Sequence, residues 1–188
     1  MSNQKIHKMV GIAILMAIVV VLQLLGQFIK FGPVSISLVL LPIVVGAALY
    51  GPAAGAILGA TFGVVVLLQP DTSFFYGINT FGTVLIVMLK GALSGWLAGL
   101  SYRLLSRKSP ILAAAVSAVV CPVVNTAIFF VGCMTFFRDG LVGMAGENVA
   151  LFVITAFIGV NFLAELAINV LCCPVIVRLM DILRKNKT

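Results

Sequence analysis

Residues 79–137 read NTFGTVLIVMLKGALSGWLAGLSYRLLSRKSPILAAAVSAVVCPVVNTAIFFVGCMTFF. Two long apolar runs, from Asn79 to Leu104 and from Pro110 to Phe136, are parted by a short turn carrying Arg107 and Lys108. Each run is long enough to cross a hydrocarbon core about 30 Å thick, which takes about 20 residues of helix. Each also holds a strongly polar side chain near its middle, Lys90 in the first and Asn125 in the second. An apolar span with a polar centre predicts a membrane protein with a polar interior.

Composition extends this reading to the whole chain. Of 188 residues 62% are hydrophobic and only 9% charged, with a mean hydropathy of +1.25, so too little polar surface exists to clothe a water-soluble globule. Further apolar runs are expected from Met9 to Phe28, Ser35 to Tyr50, Pro52 to Leu68 and Val149 to about Leu179. The expectation is an all-α integral membrane protein of six transmembrane helices. It forms a single membrane domain over 1–188, with short basic tails at about 1–8 and 180–188. The second and third runs are the shortest, and Tyr50-Gly51-Pro52 between them reads as a tight turn with Pro at the first helical position.

Charge sets the orientation. Lys5 and Lys8 precede the first span; Arg103, Arg107 and Lys108 lie between the fourth and fifth; Arg178, Arg184, Lys185 and Lys187 close the chain. Basic residues of short loops accumulate on the cytoplasmic side, so both termini are expected there. The net charge of +7 then belongs to topology and to anionic headgroups. It lacks the interleaved aromatics of a nucleic-acid surface, so no nucleic-acid partner is expected. The first apolar run is too long for a signal peptide and is followed by no small-residue cleavage site, so it is expected to stay in the mature protein.

Several chemistries are disfavoured. The only histidine is His7, in the N-terminal tail, so a Ser/His protease or a histidine-bound metal has no base or ligand within the membrane. Cys121, Cys133, Cys172 and Cys173 show no metal-ligand spacing and read as packing residues. No cofactor is implied. No P-loop is present, so any ATP-driven step must be powered by another subunit.

The polar groups are matched in height. At about 1.5 Å per residue, Lys90 lies about 16 Å along from Asn79, Asn125 about 16 Å back from Phe136, and Asn161 about 18 Å from Val149. Asn161, Glu165 and Asn169 recur every fourth residue and so share a helix face. A lysine or carboxylate at mid-bilayer costs about 2.5 to 3.5 kcal/mol, so these groups should face the interior or a hydrated cavity. One reading is a Lys90 to Glu165 ion pair tying two helices together. The other is a binding site in which Asn79, Lys90, Asn125, Asn161 and Glu165 meet a solute, with Thr126 and Thr155 joining the lining. The segment QPDTSFFYG at 69–77 would supply Phe74, Phe75 and Tyr76 as a lid, or as part of an interfacial aromatic belt.

Small residues recur every fourth position in the third span (Gly55, Gly59, Gly63), the fourth (Gly91, Gly95, Gly99) and the first (Ala13, Ala17). Such rows let helix backbones approach closely. Packing within the chain is the expected use of the glycine rows, whereas the alanine pair reads as a docking surface.

The layout, the Ala13-x-x-x-Ala17 pair after a basic tail, the segment ISLVLLPIVVGAALYGPAAGAILGATFGVVV at 36–66 and CPVVNTAIFFVG at 121–132 together resemble the substrate-binding S component of an energy-coupling factor (ECF) vitamin transporter. The resemblance spans the chain. It implies a multi-pass protein of a bacterial plasma membrane that captures a small water-soluble vitamin from outside. Ala13 and Ala17 would dock on a transmembrane coupling subunit, the T subunit, which two cytoplasmic ATPases drive. Among the vitamins, an anionic one such as pantothenate suits Lys90 flanked by amides. Two readings from other classes compete. A self-sufficient ion-coupled secondary transporter would use Glu165 as carrier, but no internal repeat supports it; a structural or assembly protein would need only the small-residue faces.

Overall fold

A computed structural model of the chain describes residues 3–26, 30–31, 34–35, 39–146, 148–174 and 177–178. Helix α1 (Asn3–Gly26) leads into a two-residue antiparallel pair, β1 (Lys30–Phe31) with β2 (Val34–Ser35), in which Lys30 opposes Ser35 and Phe31 opposes Val34. Helices α2 (Leu40–Tyr50) and α3 (Pro52–Leu67) follow, then a single 3-10 turn (Pro70–Thr72) and the short α4 (Ser73–Ile78). Two long helices come next, α5 (Thr80–Leu105) and α6 (Pro110–Thr135), and then α7 (Arg138–Ala145) and α8 (Val149–Phe152). A wide π-type turn (Val153–Ile158) joins α8 to α9 (Gly159–Leu171).

The predominantly helical membrane architecture stands, while the described residues do not by themselves make up six uninterrupted spans. Among the described residues, three helices are long and apolar enough to cross a membrane, those of 5–26, 80–105 and 110–135. Two further spans arise if each sharply bent pair counts as one: Pro52–Leu67 with Pro70–Ile78, bent by 76°, and Arg138–Ala145 with Val149–Ile158, bent by 85°. Helix α2 begins at Leu40 rather than Ser35, because Ser35 is spent on the β pair. Its 11 residues reach only about 16 Å, half of the hydrocarbon core. The sixth expected span is broken by the π-type turn, and its predicted end at Leu179 and the tail at 180–188 lie outside the described residues.

The turn at Gly51 is set by backbone sterics. Its φ of 95° is a region that side-chain-bearing residues avoid, and Pro52 starts the next helix with its fixed φ. Helices α2 and α3 thereby fold back on each other. The main seam of the molecule runs between α3 and α5 and is built from the two glycine rows. A Cβ added at Gly59 would fall inside the Gly91 carbonyl, one at Gly95 inside the Gly55 carbonyl, and one at Gly99 would come to 2.7 Å of Pro52 Cα. The backbones touch where side chains would otherwise hold them apart. Helix α6 closes on the other side of α5: Gly132 meets Ile86, Gly82 meets Phe136, and Ser117 Oγ donates to the Ala98 carbonyl at 2.8 Å.

Two apolar clusters result. One gathers α1, α2, α3 and the paired ends of α5 and α6 around Val19, Ile43, Leu58, Phe62 and Ala98. The other gathers Cys133, Phe137, Leu141, Val153 and Phe157 with Phe75 and Phe129.

The glycine seam predicts a position-specific cost. Gly59→Leu should lower stability by about 1–3 kcal/mol, or prevent folding, because the added atoms have no space. Gly77→Ala, where nothing lies within 4 Å of the new Cβ, should change stability by less than about 0.5 kcal/mol. Thermal unfolding of the two variants in detergent reads the difference; equal losses would show that the seam is not tightly packed.

Candidate functional site

Between the two apolar clusters lies a cavity of about 330 Å³, bounded by α5, α6, the π-type turn, α9 and the segment 69–75. Four of the five residues expected to form a site reach its wall: Lys90, Asn125, Asn161 and Glu165. Their convergence follows from the seam. Gly91 is pressed against Gly59, which places the adjacent Lys90 on the side of α5 turned toward α6 and α9. The Lys90 Nζ sits 5.2 Å from the centre of the Phe129 ring and 5.8 Å from that of Phe62, so aromatic faces shelter the ammonium. Glu165 on α9 lines the same cavity.

The stripe on the last helix is longer than the sequence suggested. Val153, Phe157, Asn161, Glu165 and Asn169, each four residues from the next, are all buried. In a regular α-helix a four-residue step overshoots one turn by about 40°, so such a stripe would wind off the inner face. The wider π-type turn at 153–158 undershoots instead and brings Phe157 and Asn161 back onto it. Asn161 Nδ2 donates to the Phe157 carbonyl at 3.3 Å, and Asn169 Nδ2 to the Glu165 carbonyl at 2.8 Å. Both amide groups are thereby pinned to their own helix. Asn169 is buried outside the cavity wall.

Two acceptors in this wall are left over. Asn125 Oδ1 and Asn161 Oδ1 are buried and, among the described residues, accept no hydrogen bond. A buried carbonyl without a donor costs about 1–3 kcal/mol, so both oxygens are costly where they stand.

The opposite end of the cavity is aromatic. Phe75 projects from the 69–78 segment into a nest of rings, 5.0 Å from Phe137, 5.6 Å from Phe129 and 5.8 Å from Phe157, while Phe74 stacks on Phe157 at 6.4 Å. Phe74 and Phe75 thus cover the aromatic end of the cavity, in the position expected of a lid. Tyr76 is not on the cavity wall; its hydroxyl donates to the Leu67 carbonyl at 3.1 Å and ties the lid to α3.

Asn79 is placed elsewhere than expected. It is the N-cap of α5, its Oδ1 accepting from Gly82 N at 2.8 Å, and it does not line the cavity. A helix start needs such an acceptor for its orphan N–H groups, which accounts for the residue. Thr126 does line the wall, whereas Thr155 is exposed and bonded to the Leu151 carbonyl. Sequence reasoning missed Gln23, Gln69 and Thr83 as lining residues. Gln23 stands alone in an apolar helix, the same signal that singled out Asn125, and was legible on that ground.

Residues 7–177 match a family model described as ECF transporter, substrate-specific component. No curated protein and no solved structure matches the chain. The chain belongs to the ECF substrate-specific component family and is a substrate-binding transport subunit of the membrane, not an enzyme.

Two asparagines should behave oppositely. Asn79→Ala should cost about 1 kcal/mol through the lost cap and leave solute retention unchanged. Asn125→Leu should hold or raise the melting temperature of solute-free protein, since an unpartnered buried acceptor is removed, while lowering the amount of solute that co-purifies. Paired thermal unfolding and solute quantification would separate the roles; lost stability without lost solute at Asn125 would make it a packing residue.

Proposed function

We propose that this chain captures a small water-soluble vitamin from outside the cell and delivers it by docking on a transmembrane coupling subunit driven by two cytoplasmic ATPases. The observation that carries the reading is the pair of unpartnered buried acceptors, Asn125 Oδ1 and Asn161 Oδ1, in a wall that also holds the cation Lys90 and two carboxylates, Glu165 and Asp71. Polar groups this costly in a membrane segment are explained by a ligand that completes them.

A cavity of about 330 Å³ is at the small end of the range for ligand sites, about 300–1,000 Å³, and favours a compact solute. Lys90 supplies the charge for a carboxylate, Asn125 and Asn161 accept from hydroxyl or amide donors, and Glu165 holds the local charge balance. Pantothenate, an anion with such donors, is our first choice. Phe74 and Phe75 close over it.

Docking is assigned to Ala13 and Ala17. Both are exposed on α1, beside the exposed Val10, Ile14 and Ile18, while the opposite face is committed to the fold through Gly11 against Tyr50. We place both termini in the cytoplasm of a bacterial cell, with the lid on the outer side.

Mass spectrometry of small molecules released from the purified protein tests capture. The wild-type chain should release one dominant anionic compound, and Lys90→Ala should reduce its occupancy at least about tenfold, the loss expected for one buried charged hydrogen bond. A normally folded Lys90→Ala protein carrying the same compound at the same occupancy would remove Lys90 from the site. Ala13→Leu should leave capture intact and abolish uptake by the assembled transporter; undiminished uptake would refute the docking assignment.

A further inference from the structure

Gln23 and Gln69 stand 46 residues apart, near the end of α1 and at the hinge between α3 and the lid, and both are buried, with relative exposures of 3% and 6%. They hold each other by two hydrogen bonds. Gln23 Nε2 donates to Gln69 Oε1 at 2.9 Å, and Gln69 Nε2 donates to the backbone carbonyl of Gln23 at 2.9 Å. Gln69 is the extended residue, with φ −82° and ψ 146°, at which the chain turns by 76° from α3 into the lid helices. Other lid bonds run back to α3: Thr72 Oγ1 to the Val66 carbonyl at 2.6 Å and Tyr76 hydroxyl to the Leu67 carbonyl. The glutamine pair instead spans from the hinge to a different helix.

We propose that the Gln23–Gln69 pair is a clasp that makes lid closure and the position of α1 one movement. Gln23 and Gln69 both line the cavity, so the clasp is part of its wall. Gln23 is six residues from Ala17, about 9 Å along α1, so a shift of α1 reaches the hinge through a rigid helix. Its use in solute release rests on the docking of α1 proposed above. The clasp itself rests only on the hydrogen bonds and the hinge.

The two bonds are unequal in their dependence on side chains, which gives the test its signature. Gln69 supplies its side chain to both, Gln23 to one. Amide hydrogen exchange by mass spectrometry on the full chain in nanodiscs, with no solute or partner added, compares Gln69→Met, Gln23→Met and the double variant. Gln69→Met should speed exchange of the lid amides at 70–78 and of the last turn of α1 at 22–26 by about tenfold or more, while the amides of α5 keep wild-type rates. Gln23→Met should have a smaller effect at the lid, and the double variant no more than Gln69→Met there.

Wild-type protection of 70–78 in Gln69→Met, acceleration of the lid without α1, or a uniform rise across the chain would each overturn the clasp. Should Gln69→Met fail to fold, Gln69→Glu retains the acceptor for Gln23 and loses the donor. It should exchange faster than wild type at both segments, and wild-type rates would again refute the proposal. Because no solute or partner is present, failure of the transport reading would leave these patterns intact.

Discussion

Backbone contact between α3 and α5 is the constraint on which the other features depend. Glycines at 55, 59, 91 and 95 bring carbonyls where side chains would stand in an ordinary helix pair, and the two helices become one rigid slab. The slab fixes what flanks the glycines. Phe62 follows from α3, Lys90 from α5, and the ammonium comes to rest over the Phe62 ring because the helix axes are so close. It also fixes the stem of the lid, since α3 ends at Leu67 and its last carbonyls receive Thr72 and Tyr76.

Against this slab the remaining helices solve a harder problem, that of keeping polar atoms away from lipid. Asn125 on α6 and Asn161 with Glu165 on α9 are buried, and they share a cavity with Lys90 rather than facing outward. The π-type turn keeps the stripe on the inner face, which a regular helix of the same sequence would have wound away. Desolvation is therefore met by convergence. The leftover acceptors are the part of the cost that the protein alone does not offset, and a transport subunit is the kind of molecule in which a solute completes them.

The aromatic end balances the polar one. Phe75 among Phe129, Phe137 and Phe157 packs as edge and tilted pairs, a geometry that holds without directional bonds. Direction comes from the buried amides of Gln23 and Gln69 at its hinge.

Membrane class and helical content were legible in the sequence, because hydropathy and helical periodicity are local properties. The glycine rows were legible as packing faces for the same reason, though not as faces for each other. Asn79 was misplaced because a polar residue at a helix start reads alike as ligand-binding group or cap, and only its bond to Gly82 N distinguishes them. The shortened α2, the bent pairs and the π-type turn escaped because an apolar run has the same composition whether it continues or breaks. Whether the polar groups share one cavity, and whether Gln23 meets a residue 46 positions away, depended on how helices rotate and lean on one another. That is decided by contacts between distant segments, and hydropathy along a single helix carries no record of them.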